Sequence, residues 1–271
     1  MCKNDDRNNQ RINHSYQPLV SPPPPPPPRL LSLPPASMDK SRIAKLADEI
    51  LEGREAAKAS TSNSTTKQYW IGIAGAPGSG KSTLVHDLVK ELQSRSVTCV
   101  GVPMDGYHYS RAELDSFTDP IAAHRFRGAP FTFNGSKFVE DLRMAKMEGK
   151  FSFPGFDHAA KDPVPDVHVL TAECQVVLVE GNYLLLDAAP WSSLCEESSS
   201  SSSKIFDEMW YLKCNLDELK RRLAARHMEA WGWTMEQAME RIEDSDGKNM
   251  VTVETSAGNQ RASKVLMSGE E

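Results

Sequence analysis

Residues 75–83 read Gly75-Ala76-Pro77-Gly78-Ser79-Gly80-Lys81-Ser82-Thr83, a complete G-x-x-x-x-G-K-[ST] loop, and this run constrains the fold more than any other part of the chain. Its glycines let the backbone wrap an anion with the N–H groups turned inward. Lys81 supplies positive charge for β- and γ-phosphates, and the Ser82 hydroxyl is a ligand for Mg²⁺. The flanks agree with the motif. Tyr69 to Ala74 is a short apolar run that predicts a buried strand, and Leu84, Val85, Leu88, Val89 and Leu92 then recur at helical spacing. Strand, glycine loop and helix in that order set the loop at a helix N-terminus, where the macrodipole favours anions. The chain is expected to bind a nucleoside triphosphate through this loop.

The rest of the sequence supplies the sheet that such a loop needs. Val97 to Met104 predicts a second strand, and Ser136 to Met147 a helix capped by Asn134 or Ser136. Gln175 to Glu180 is a continuous apolar run, as in a parallel strand covered on both faces, and Glu208 to Lys213 is a fourth strand. Asn215 opens a further helix with Glu218 three residues on, the spacing of a capping box. Alternating strands and helices predict an α/β fold with a doubly wound parallel sheet. The division expected is a proline-rich tail over 1–37, a helix and linker over 38–66, the catalytic domain over 67–255 and a polar C-terminal tail over 256–271. Within the second part, Ser41 to Lys58 carries an apolar stripe of Ile43, Leu46, Ala47, Ile50 and Leu51.

Composition narrows the partners. The 271 residues carry a net charge of -6 with no long basic stretch, which argues against nucleic acid. No apolar run approaches the roughly 20 residues that span a bilayer, so no membrane partner is expected. Five cysteines with no C-x-x-C pair predict reduced thiols and a cytoplasmic location. The tail's Arg, Ser and Asn content weakly resembles an organelle transit peptide, but Asp5 and Asp6 count against it. The unbroken run Pro22 to Pro28 reads as disordered or polyproline II. It is open to reading as a low-complexity tail or as a ligand for an SH3- or WW-like domain. Ser198 to Ser203 reads as a surface-loop insertion. A homo-oligomer is left open.

Four clusters carry candidate chemistry. Asp105 follows the second strand, at the carboxyl end where parallel sheets bind ligands, and could take a proton from an attacking hydroxyl; the other reading is an Asp-Gly turn. Glu180 ends the most apolar strand, where an acid needs a cation such as Mg²⁺. Arg222 and Arg226 lie four apart on one helix face, either clamping a transferring phosphoryl group or forming a solvated basic face. Finally, His124 to Pro130 and Phe153 to His158, with Lys161 to Pro163, read as non-periodic loops rich in aromatic, cationic and carboxylate groups. Arg125, Arg127, Asp157 and His158 from these loops, with His108, Asn182 and Tyr183, are the candidate substrate residues.

Met104 to His108, Arg127 to Pro130, Phe156 to His158 and Val179 to Leu186 together resemble runs of the uridine kinase, phosphoribulokinase and bacterial pantothenate kinase superfamily. They are most similar to its nucleoside or uridine kinase-like branch. The likeness covers about Trp70 to Val253. It implies a P-loop NTPase fold of nucleoside/nucleotide kinase type with a mobile helical lid carrying Arg222 and Arg226, and ATP and Mg²⁺ as cosubstrates. It further implies Asp105 as base, Lys81 on the phosphates, and Ser82 and Glu180 on the metal. Asp246-Gly-Lys-Asn249 stands where the branch has Asp-x-Pro-Asn, which puts Asn249 near the base of ATP. The uridine-type Tyr-Asp-x-x-x-His-x-Arg is replaced by Phe156-Asp-His-Ala-Ala-Lys-Asp-Pro163, so uridine is expected to be a poor acceptor. The reaction class expected is phosphoryl transfer to a hydroxyl of a sugar-, nucleoside- or pantothenate-like metabolite. An ATPase or nucleotide switch acting through protein partners is the alternative.

Overall fold

The computed structural model describes residues 38–60, 68–195 and 204–269. In chain order its elements are α1 (Lys40–Ser60), β1 (Tyr69–Gly75), α2 (Lys81–Ser94), β2 (Cys99–Pro103), α3 (Arg111–Leu114), α4 (Pro120–Arg125), α5 (Gly135–Glu148), β3 (Phe151–Asp157), β4 (Asp162–Leu170), β5 (Val176–Gly181), β6 (Glu208–Lys213), α6 (Leu216–Trp231), α7 (Met235–Arg241), α8 (Gly247–Glu254) and β7 (Lys264–Met267). A π-helical turn, Ile242–Asp246, joins α7 to α8.

Period-two alternation along the central strands decides how the layers stack. Ile71, Ile73, Val176, Leu178, Trp210 and Leu212 face one way, onto Leu84, Leu88 and Leu92 of α2. Trp70, Val177, Val179 and Tyr211 face the other, onto Phe138 and Leu142 of α5 and Leu219 and Leu223 of α6. The resulting sheet is five-stranded, in the order β2-β5-β1-β6-β7, and every pairing is parallel. Both faces are covered by helices, as the doubly wound expectation requires. Helix α1 joins the α2 face through buried Ile43, Leu46, Ala47 and Ile50. Burying each large aliphatic side chain contributes roughly 1.5–3 kcal/mol, enough for this stripe to hold α1 on the sheet layer.

Several expectations need correcting. Phe153 to Asp157 and Asp162 to Pro163 are not loops: they lie in an antiparallel ribbon, β3 paired with β4, with an irregularity between Phe153 and Gly155, while His158 and Lys161 sit in the turn that joins the two strands. His124 and Arg125 end a helix, α4. Residues 256–271 are not simply a tail, since β7 adds to the sheet beside β6. Both α1 and β7 belong to the same compact unit as the sheet. The second strand stops at Pro103, and Met104–Tyr107 makes a 3-10 turn. Asn215 caps α6 by accepting from the Asp217 amide, while Glu218 turns to Arg221 and Arg222 instead of closing a capping box. The polyproline run and the serine run lie outside the described residues. No helix among the described residues is long and apolar enough to cross a membrane.

Candidate active site

The glycine loop runs from the end of β1 into α2. Gly78 and Gly80 hold φ angles of 85° and 91°, a region costly for residues with a side chain. Gly80 is the N-cap of α2 and offers no side-chain cap, so the first-turn N–H groups are left for an external acceptor. Lys81 is buried at the start of that helix. These features fit a polyphosphate: a concave backbone at a helix N-terminus with a single buried ammonium group beside it.

Next to the loop lies the acid. Glu180, 6% exposed at the end of β5, accepts a 2.7 Å hydrogen bond from the Ser82 hydroxyl. Burial holds its carboxyl above the usual range; Lys81 pulls it down, Asp105 pushes it up, and the Ser82 bond pulls it down. A buried carboxylate sharing a hydroxyl with the phosphate loop is the hard oxygen donor set that suits Mg²⁺. Among the described residues no group of three His, Cys, Asp or Glu could hold a metal without help. A magnesium site that draws on nucleotide phosphates and water needs no such group.

Asp105 reaches the same place from the neighbouring strand. Pro103 of β2 is in register with Glu180, and Asp105 stands two residues further on in the 3-10 turn. The turn is held from below by His108, whose Nδ1 is 2.8 Å from the Asp105 carbonyl oxygen, and that contact makes Nδ1 the protonated nitrogen. The His108 ring lies 3.9 Å from Phe133 and 4.8 Å from Phe156, centroid to centroid. Burial pushes its pKa below the ordinary value, against the pull of Asp105. His108 therefore supports the Asp105 backbone.

Ser82, Asp105 and Glu180 open into a cleft of about 650 Å³ whose other wall is the ribbon, through Phe156, Asp157, His158, Val164, Val167 and His168. His86 and Val89 of α2 complete it. Of the candidate substrate residues, Asp157 and His158 line this cleft. Asp157 accepts from the Ala160 and Ala159 amides, which hold its carboxyl below the usual range. Asn182, just after β5, has a buried side-chain oxygen with no hydrogen-bond partner.

Other candidates are placed elsewhere. Arg127 donates to the backbone oxygens of Tyr109 (2.7 Å) and Lys161 and to Asp162, so it ties the ribbon to the preceding loop. Arg125 is committed to Asp244 through two bonds of 2.7 and 2.6 Å. It lines a second cleft, of about 660 Å³, with Trp233, Arg241 and Lys248 and no residue of the phosphate loop. Tyr183 is fully buried and donates to the Gly128 carbonyl oxygen at 2.6 Å. Asn249 is also buried, with its amide nitrogen beside Gly128. Arg222 lies behind the phosphate loop, with long 3.5 Å contacts to the Gly78 and Ser79 carbonyl oxygens. Arg226 is exposed and bears on His227 and Asp246. Sequence reasoning missed His86 and His168. The alternation of Val167 and Val169 around His168 was the available signal for a strand.

A strand, a glycine loop and a helix, with a buried acid on the adjacent strand, define a P-loop nucleotide-binding domain. Known proteins narrow the class. The Schizosaccharomyces pombe protein named "Putative uridine kinase" is 39% identical to this chain over 189 residues, which cover 68% of this chain and 77% of that one. The ATP-dependent kinase YFH7 of Kluyveromyces lactis is 32% identical over 186 residues, 55% of this chain and 51% of its own length, so the chain spans about half of that protein. Among solved structures, the "putative fructose transport system kinase" from Silicibacter sp. TM1040 superposes with a TM-score of 0.69 at 28% identity, over 83% of this chain and 98% of that one. No protein-family model matches the chain. The chain belongs to the P-loop kinase family of the fission-yeast and YFH7 proteins, and it is a phosphotransferase.

Proposed function

We propose that the protein transfers the γ-phosphoryl group of ATP to a hydroxyl of a sugar-, nucleoside- or pantothenate-like metabolite, and that uridine is a poor acceptor. The observation that carries the proposal is the meeting of Ser82 and Glu180 at 2.7 Å, in a cleft that also holds Asp105. Lys81 and the α2 amides bind the phosphates and orient the terminal group. Ser82 and Glu180 would hold Mg²⁺, which when bound would supply positive charge to the phosphate oxygens. Asp105 takes the proton of the acceptor hydroxyl. The acceptor oxygen bonds to the γ-phosphorus, the bond to the bridging oxygen breaks, and ADP and a phosphate ester leave.

The acceptor lies along the ribbon wall. With Arg125 and Arg127 already paired, recognition falls to His158, His168, His86 and Asn182, a set of hydrogen-bonding side chains suited to several hydroxyls. The S. pombe relative's name points to uridine. The missing His-x-Arg after Asp157 points away from it. A site that hydrogen-bonds its substrate rejects analogues lacking the matching groups by roughly 10⁴–10⁵. Competition among uridine, cytidine, pantothenate, glycerate and ketose sugars at equal concentration tests the reading. A non-uridine product is expected to dominate, and selective phosphorylation of uridine overturns it.

A further inference from the structure

We propose that Ser268, just past β7, is a positioning residue for nucleotide binding: it pins the Ser79 carbonyl and so aims the Gly80 amide into the phosphate cradle. The proposal rests on the reading of the glycine loop as the nucleotide site and adds the element that shapes it. The Ser268 amide donates to the Lys213 carbonyl oxygen at 2.8 Å, which continues the β6–β7 ladder by one residue and fixes the backbone. From there its hydroxyl donates to the Ser79 carbonyl oxygen at 2.5 Å and accepts from an Arg222 Nη1 at 2.8 Å. Arg222 is oriented in turn by Glu218, at 2.7 Å from its Nε. The hydroxyl thus has the Arg222 guanidinium as donor and the Ser79 carbonyl oxygen, at 2.5 Å, as acceptor, with the Cys214 thiol as a further hydrogen-bonding neighbour. The charged donor polarises it and strengthens the bond to the loop.

The consequence for the loop follows from peptide geometry. In a planar trans peptide the C=O and the N–H point in opposite directions. Ser79 C=O and Gly80 N–H share one peptide plane, so holding the oxygen back against Ser268 turns the amide forward, toward the anion. Glycines at 78 and 80 leave this plane free to rotate unless something outside the loop fixes it. The Ser79 side chain does not do so, because its hydroxyl is buried without a hydrogen-bond partner. Ordering a flexible loop costs affinity when it must happen at binding, and a preset loop avoids that cost. The same geometry reassigns Arg222 from clamping the transferring group to bracing the loop from behind.

The test measures ADP binding with Mg²⁺ by calorimetry, and steady-state KM and kcat, on the full chain. Ser268→Ala is expected to weaken ADP by about tenfold and to raise the ATP KM in proportion, with a smaller change in kcat, as for one lost hydrogen bond to an oriented group. Ser268→Thr keeps the hydroxyl and is expected to restore binding to within about twofold. Arg222→Ala combined with Ser268→Ala is expected to cost no more than the larger single change, because the two act as one unit. If the alanine variant folds poorly, Ser268→Cys, of similar size and a weak donor, is expected to show the same loss. Unchanged ADP affinity in the folded alanine or cysteine variant, or failure of threonine to restore it, overturns the proposal. A wild-type protein that binds no ADP overturns the nucleotide site and this inference together. Normal ADP binding without phosphorylation of any acceptor leaves this inference standing and sinks only the acceptor reading.

Discussion

The two ends of the active cleft are built differently. At the phosphate end, Gly75 to Ser82 come from one continuous stretch, and the side chains that matter are consecutive or one strand away. At the end proposed for the acceptor, Asp105, Phe156, His158 and His168 arrive from three separate segments, and all but Asp105 belong to a ribbon and its turn that the central sheet does not contain. Binding a phosphate needs a backbone shape, which local sequence can encode. Choosing an acceptor needs side chains brought together from a distance, and only the tertiary fold does that.

Substitutions that separate the two ends sharpen this contrast. The largest effect is expected from Asp105→Asn, which should lower kcat by about 10²–10⁴ while ATP affinity changes little. An equal loss in ATP binding would move Asp105 to the phosphate end. Lys81→Ala should cost about 10²–10³ in turnover, as for a removed charge stabiliser, with an unchanged fold by circular dichroism. Near-normal turnover would break the assignment of the loop. Arg127→Ala should destabilise the protein by about 1–3 kcal/mol in a urea titration, because Arg127 bonds to backbone oxygens of both the ribbon's turn and the loop that precedes it. It should also raise the acceptor KM and leave ATP binding alone; an effect on the ATP term only would show that the ribbon serves the nucleotide.

The smallest expected effect concerns pH. Burial, helped by the Arg226 and Arg241 charges, pulls His227 down to about 4. Its ordinary value is about 6.5, so between these values the unfolded chain binds the proton and the folded chain does not. Stability from this group is full above about pH 6.5 and is lost as pH falls toward 4. Asp246, 3.4 Å away, works in the opposite sense, since burial holds its carboxyl above the usual range. His227→Phe keeps the ring that stacks on Trp231 and should flatten the slope, by an amount worth about a few degrees in Tm. An unchanged slope would locate the pH dependence elsewhere.

Much of the central fold was legible because buried parallel strands are continuous apolar runs. β1, β5 and β6 read directly from Tyr69 to Ala74, Gln175 to Glu180 and Glu208 to Lys213. The ribbon was not legible because Pro154, Gly155, Pro163 and Pro165 punctuate it like loop residues. A two-stranded ribbon tolerates them, since it has two free edges and an irregularity at Gly155. β7 was missed for a related reason: it is an edge strand with Leu266 as its only buried side chain, too little for a periodic signal. At the site, Lys81, Ser82, Asp105 and Glu180 stood out as costly groups at strand or helix ends. The roles of Arg125, Arg127 and Arg222 did not. A cation near a candidate site looks the same in sequence whether it meets a ligand or a carbonyl, and Ser268, the partner of Arg222, lies 46 residues further along the chain.

The most direct test of the central claim is ADP release from ATP and Mg²⁺ with and without acceptor, measured on wild type and Asp105→Asn together. A small basal rate is expected in both, with strong stimulation of the wild type by at least one hydroxylated metabolite and almost none of the variant. A wild-type rate that no small-molecule acceptor stimulates, or a variant stimulated as strongly as the wild type, would contradict a metabolite kinase that uses Asp105 as its base.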